Sequence, residues 1–194
     1  MIIRPNSEKI EKLFENLKRD GKRLAKLCIP YCTIVLALIP FFISAITMLM
    51  DGNKWLSMDE ALSIVPICAA VGAVIGFVAK TFIYNLILKN NASFIGELKK
   101  SGIKVEDGLI TGKMLKMEQS APVNARVEIL PRKTFDVAFK VSQVTNIEVI
   151  DKTIKSVNYS KFCVITVGAE KYYLMCLNDT DANELRNYTL AYKV

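Results

Sequence analysis

The chain has 194 residues, is 52% hydrophobic, carries a formal net charge of +7 and contains no histidine. Without histidine there is no Ser-His-Asp or Cys-His activation of a nucleophile and little basis for a zinc site. No phosphate-cradling P-loop or GxGxxG pattern occurs either, so the sequence points to a non-enzymatic protein with no cofactor and no metal.

Residues 1–26 hold eight basic side chains against four acidic ones, and Ile10, Leu13, Phe14, Leu17 and Leu24 recur at helical spacing. This predicts a basic amphipathic helix over Ser7 to Lys26, with Gly21 as a weak point. Two uses of its apolar face stand open. It can lie on an anionic inner leaflet, or it can pack on the protein's own polar domain.

Two apolar runs follow, Leu27 to Met50 and Ala61 to Ala79, and neither contains a charged side chain. As helices they reach roughly 36 Å and 28 Å, close to a bilayer core of about 30 Å. The predicted spans are 27–50 and 61–88, joined by a short loop over 51–60 that carries Asp51, Asp59 and Glu60 beside Lys54, with Trp55 as a candidate interfacial anchor. The charged leader and the second span argue against a cleaved signal peptide. Basic residues concentrate before the first run and after the second, which predicts a multi-pass plasma-membrane protein with both termini cytoplasmic. The charge is thereby explained by topology, and nucleic acid is not an expected partner.

Small residues form a stripe on each span. Ala69, Gly72, Gly76 and Ala79 share one face of the second helix, and Thr33, Ala37, Pro40, Ser44 and Thr47 share one face of the first. In lipid, helices associate through close backbone approach at such residues. The stripes serve either one hairpin or a contact between two molecules. Neither span holds an Asp, Glu, Arg or His at depth, so the hairpin alone is not expected to carry cargo.

Phe94, Ile95 and Leu98 predict a connecting helix over 89–102. The texture then turns β-rich over Val105 to Met117, Ala125 to Leu130, Thr134 to Val141, Val144 to Ile150, Ile154 to Tyr159, Phe162 to Val167 and Tyr172 to Leu177, with turn formers such as Asp107-Gly108, Pro131 and Gly168-Ala169. A final helix starts near Asn178 to Asp181, capped by Asp179 or Asp181, with Ala182, Leu185 and Thr189 or Tyr192 on its inner face. A hairpin turning at Ala169-Glu170 sets Cys163 directly opposite Cys176, as two reduced core thiols.

The stretches VSQVTNIEVI, KFCVITVGAEKYYLMCL and NDTDANELRNYTL resemble the later strands, final hairpin and closing helix of bacterial pleckstrin-homology-like (PH-like, GRAM-like) membrane proteins. The resemblance covers roughly residues 103–194. It implies a membrane α-helical hairpin joined to an α+β domain, a small barrel of about seven strands closed by a C-terminal helix. It also implies a binding or assembly role, with envelope stress or bacteriocin immunity as concrete settings and membrane lipid, a membrane protein or a second copy as partner. In that family lipid binders hold phosphorylated headgroups with basic residues near the first strands. Lys113, Lys116, Arg132 and Lys133 are the candidates here for headgroup or partner contact, although they are not the dense cluster of a strong binder. An accessory subunit of a transporter or channel and a sensor of anionic headgroups are the alternative functions.

Overall fold

A computed structural model describes residues 1–51, 57–116, 133–154 and 157–191. The chain divides into two compact units, residues 19–89 on one side and residues 1–18 with 90–194 on the other. Trp55, Arg132, Tyr192 and the predicted strand over 125–130 lie outside the described residues.

The first unit is helical. It holds the second half of α1 (Ser7–Lys26), α2 (Cys28–Asp51) and most of α3 (Met58–Lys100). The α1–α2 junction is a single turn, in which the Leu27 N–H donates to the Leu24 carbonyl at 3.1 Å. Pro30 sits in the first turn of α2, where a missing N–H costs nothing. Two helices are long and apolar enough to cross a membrane. Phe42, Val74 and Phe82 are 63%, 65% and 69% exposed, and so continuous an apolar surface is unusual in water. The connecting helix expected over 89–102 is the end of α3 itself. No glycine or proline interrupts Phe77 to Phe94, so nothing in that stretch stops the helix.

The second unit is built on an antiparallel sheet of β1 (Ile2–Ile3), β2 (Gly102–Glu106), β3 (Leu109–Lys116), β4 (Lys133–Lys140), β5 (Val144–Ile154), β6 (Val157–Val167) and β7 (Glu170–Leu177). The sheet runs β1-β2-β3-β7-β6-β5, with β4 on the other side of β3. It is thus two meanders, β2-β3-β4 and β5-β6-β7, joined where Leu115 and Lys116 pair with Tyr173 and Tyr172. The sheet curls into half a barrel. α4 (Asp179–Ala191) buries Ala182, Leu185 and Thr189, and Ala182 and Leu185 join the core of the hollow.

Four expectations need correction. Of the stretch predicted as one strand over Val105 to Met117, the described residues 105–116 form a hairpin, because Asp107 and Gly108 take φ of +49° and +72°, as a two-residue type I′ turn demands. The segment Ile154 to Tyr159 is not a strand of its own: β5 runs from Val144 to Ile154, and β6 runs from Val157 through Phe162 to Val167. Ile2 and Ile3, expected as part of the basic amphipathic segment 1–26, form a strand against Lys104 and Ile103. Cys163 faces Leu174 rather than Cys176. Gly168 (φ +59°) begins the turn one residue earlier than expected, as a type II′ turn places its glycine, and this moves the partners of Phe162 to Val167 by two.

The sheet has a core on each face. Ile103, Val105, Ile110, Met114, Cys163, Ile165 and Leu174 fill the hollow. On the opposite face Leu115, Phe162, Met175 and Cys176 are buried under Ile10 and Leu13 of α1 and Phe94, Ile95 and Leu98 of α3. The amphipathic face of α1 therefore packs on the protein's own sheet. This sheet unit includes residues 1–18 and 90–102, which the sequence pattern alone divides from residues 103–194.

The end of β7 shows how both faces are served. A bulge places Cys176 as an extra residue between Met175, which pairs with Phe162, and Leu177, which pairs with Lys161. Met175 and Cys176 consequently lie on the helix-covered face, while Leu174 and Leu177 belong to the hollow. Cys176 holds φ at +57°, a conformation costing about 1–2 kcal/mol for a residue with a Cβ. Three bonds tie this strained corner to α1. The Asn6 N–H donates to the Cys176 carbonyl at 2.9 Å, the Lys9 Nζ to the Leu177 carbonyl at 2.7 Å, and the Asn6 Nδ2 to the Asn178 Oδ1 at 3.0 Å. Asn6 also caps α1, its Oδ1 accepting the Lys9 N–H at 3.0 Å.

Candidate packing seam and basic groove

Within the helical unit the two small-residue stripes meet. A Cβ on Gly72 would lie 2.7 Å from the Cys32 carbonyl oxygen and 2.8 Å from Thr33 Cα; one on Gly76 would lie 2.7 Å from Ile29 Cα. Backbone stands in the way at both positions, and no rotamer change can relieve it. Gly72, Gly76 and Pro40 are buried, and Ala69, Ala79, Thr33, Ala37 and Ser44 are half-buried among exposed apolar neighbours. Thr33 donates its hydroxyl to the Ile29 carbonyl at 2.8 Å, so it adds no unpaired polar atom to the seam. The structure thus uses the glycines within one hairpin. It extends the seam to Gly21, whose Cβ would lie 2.7 Å from Ile87 Cγ2. By sequence Gly21 is only a weak point of α1; its small-residue spacing with Ala25 is the signal that points to the seam.

The basic candidates do not form one cluster. Lys113 and Lys116 are three residues apart on β3 and so point to opposite faces. Lys116 lies opposite Lys133 in register and is engaged: its Nζ bonds the Glu170 carboxylate and sits 5.5 Å from the Tyr172 ring centroid. The Tyr172 hydroxyl also donates to Glu170. That bond, with burial, pushes the Tyr172 pKa up to about 12, while Lys116 and Tyr172 hold the Glu170 carboxyl below its ordinary value. Phe139 stacks on Tyr172 with centroids 5.6 Å apart. This knot fastens the rim of the hollow.

Lys113 instead belongs to a groove that the sequence did not reveal. Arg4, Lys99, Lys100, Lys104 and Lys113 line a cavity of about 450 Å³ beside Gly102, Thr111 and Gly112. Pairing of Gly102 with Lys113 and of Lys104 with Thr111 places these residues on one face of the sheet, the same face that α1 and α3 cover further along. Gly102 makes room for Arg4: a Cβ there would lie 3.2 Å from Arg4 Cγ and 3.1 Å from the Ile3 carbonyl oxygen. Gly112 is more constrained still, since its Cβ would come within 2.2 Å of the Gly102 carbonyl oxygen.

Three of the five cations have carboxylate partners outside the lining. Lys100 pairs with Glu97 at 2.8 Å, Lys113 with Asp136 at 3.7 Å, and Lys104 with Glu106. Arg4 and Lys99 make no ion pair among the described residues. Glu97 also accepts from the Thr134 backbone N–H at 3.1 Å and from its hydroxyl, which occupies a donor on edge strand β4. Lys100 first, and then Thr134, hold the Glu97 carboxyl down at about 2.

Both sheet cysteines are buried, and burial pushes each thiol up to about 12. They act as small hydrophobes on opposite faces of the sheet. No family model, curated protein or solved structure matches the chain.

Two outcomes follow from this geometry. Replacing Gly72 and Gly76 by Ile should separate α2 from α3, abolishing intramolecular cross-linking between cysteines engineered at facing seam positions; unchanged cross-linking would remove the seam's packing role. The Glu97 carboxyl is held below its ordinary 4.5, so its stabilising contribution is complete above that value and is lost as pH falls toward 2. Circular dichroism of the protein in micelles should show Glu97→Gln less stable than wild type at neutral pH, with the gap closing between about 4.5 and 2.

Proposed function

We propose that this chain is a non-enzymatic, multi-pass plasma-membrane protein that presents a PH-like domain on the cytoplasmic side, where it binds a protein partner or a second copy in a membrane complex. One observation carries the reading: the segments flanking the apolar hairpin, residues 1–18 and 90–102, belong to the sheet's own compact unit. A domain that merely trails from an anchor needs no such construction, because a flexible linker would serve. Here the two segments that flank the hairpin help bury Phe162 and Met175, which supports a domain displayed from the membrane.

The succession of two antiparallel meanders and a C-terminal helix supports the PH-like part of the reading. The flanking charges support cytoplasmic termini. Envelope stress and bacteriocin immunity are the settings that the resemblance suggests.

The test is extraction of the intact protein from native membranes into polymer-bounded lipid discs, followed by mass measurement and proteomics. A homo-oligomer or a stoichiometric membrane protein is expected. A monomer with no stoichiometric protein would contradict the assembly role.

A further inference from the structure

The geometry points to the groove of Arg4, Lys99, Lys100, Lys104 and Lys113 as a binding site for a phosphate-bearing anion. Its position is set by the fold. Arg4 follows β1, Lys99 and Lys100 end α3, and Lys104 and Lys113 stand on β2 and β3. Four elements therefore bring cations together, and no carboxylate is among the groove's lining residues.

The cavity of about 450 Å³ is within the size range of small-ligand sites. Ammonium groups act as point charges, and the single guanidinium of Arg4 offers a planar fork suited to two phosphate oxygens. The three lysines with carboxylate partners have side chains 50–63% exposed, so those pairs are weak and a multiply charged anion can replace them. Arg4 and Lys99 need not be released from anything among the described residues. Gly102 leaves the Arg4 stem room against the strand, which limits the freedom it loses on binding. A lipid headgroup and a soluble phosphate compound offer the same chemistry. The site does not depend on the assembly role, since a ligand here leaves other surfaces free for a partner.

The experiment uses full-length protein in discs of neutral phosphatidylcholine, titrated with pyrophosphate in a calorimeter. Wild type should bind, with affinity falling as salt rises. The double variant Arg4→Gln, Lys99→Gln should bind about tenfold or more weakly. The variant Lys12→Gln, Lys22→Gln, which removes the same charge from exposed positions on α1, should bind nearly as well as wild type. Matching thermal unfolding of the two variants keeps the comparison independent of folding. Equal losses in both variants, or no loss in the first, would overturn the site, as would absence of pyrophosphate binding by wild type. Discs that include phosphatidic acid then distinguish the sources: competition by the lipid assigns a headgroup, and undiminished pyrophosphate affinity assigns a soluble phosphate compound.

Discussion

A curled sheet can bury one face in its own hollow, but its other face must be covered by something. Here Leu115, Phe162, Met175 and Cys176 on that outer face are covered by Ile10 and Leu13 from one helix and by Phe94, Ile95 and Leu98 from another. Burial of such side chains is worth about 1.5–3 kcal/mol each, a large share of the margin of a small domain. The other features of the sheet unit are arranged around this layer. The bulge at Cys176 turns two successive side chains toward it, and the hydrogen bonds from Asn6 and Lys9 hold the strained corner in place.

The same layer explains where the sheet stays open. Along the outer face, cover by α1 and α3 reaches Leu115 and stops; Lys113 and Thr111, further back on β3, line the groove with Lys104. Glu97 marks the boundary, bonded to Thr134 on one side and Lys100 on the other. The apolar layer beneath α1 and α3 and the basic groove are therefore successive parts of one face of the sheet.

Much of this was legible in the sequence. The helix Ser7–Lys26, the start of the last helix and the inner positions Ala182 and Leu185 follow from periodicity and caps, and the charge-free run 27–50 marks Cys28–Asp51 to within a residue at each end. The small residues at Gly72 and Gly76 also announced a close approach. Register was harder, because it depends on the φ of single residues: Gly168 sets the turn, and Cys176 absorbs an extra position without any glycine to signal it. The groove was hidden for another reason. Arg4, Lys99 and Lys100 read as flanking charges of a membrane hairpin, and only the fold brings them beside Lys104 and Lys113. Lys116, conversely, looked available in the sequence and is occupied by Glu170.

The central claim is that the helical arms and the outer face of the sheet form one cooperative core. Amide hydrogen exchange on the full-length protein in micelles, comparing wild type with Leu13→Ala, tests it directly. A buried Leu→Ala replacement costs about 2–5 kcal/mol. If the core is shared, protection should fall together across α1 residues 7–18, β6 and β7. Loss of protection confined to α1, with Phe162 to Val164 and Leu174 to Leu177 unchanged, would contradict the account.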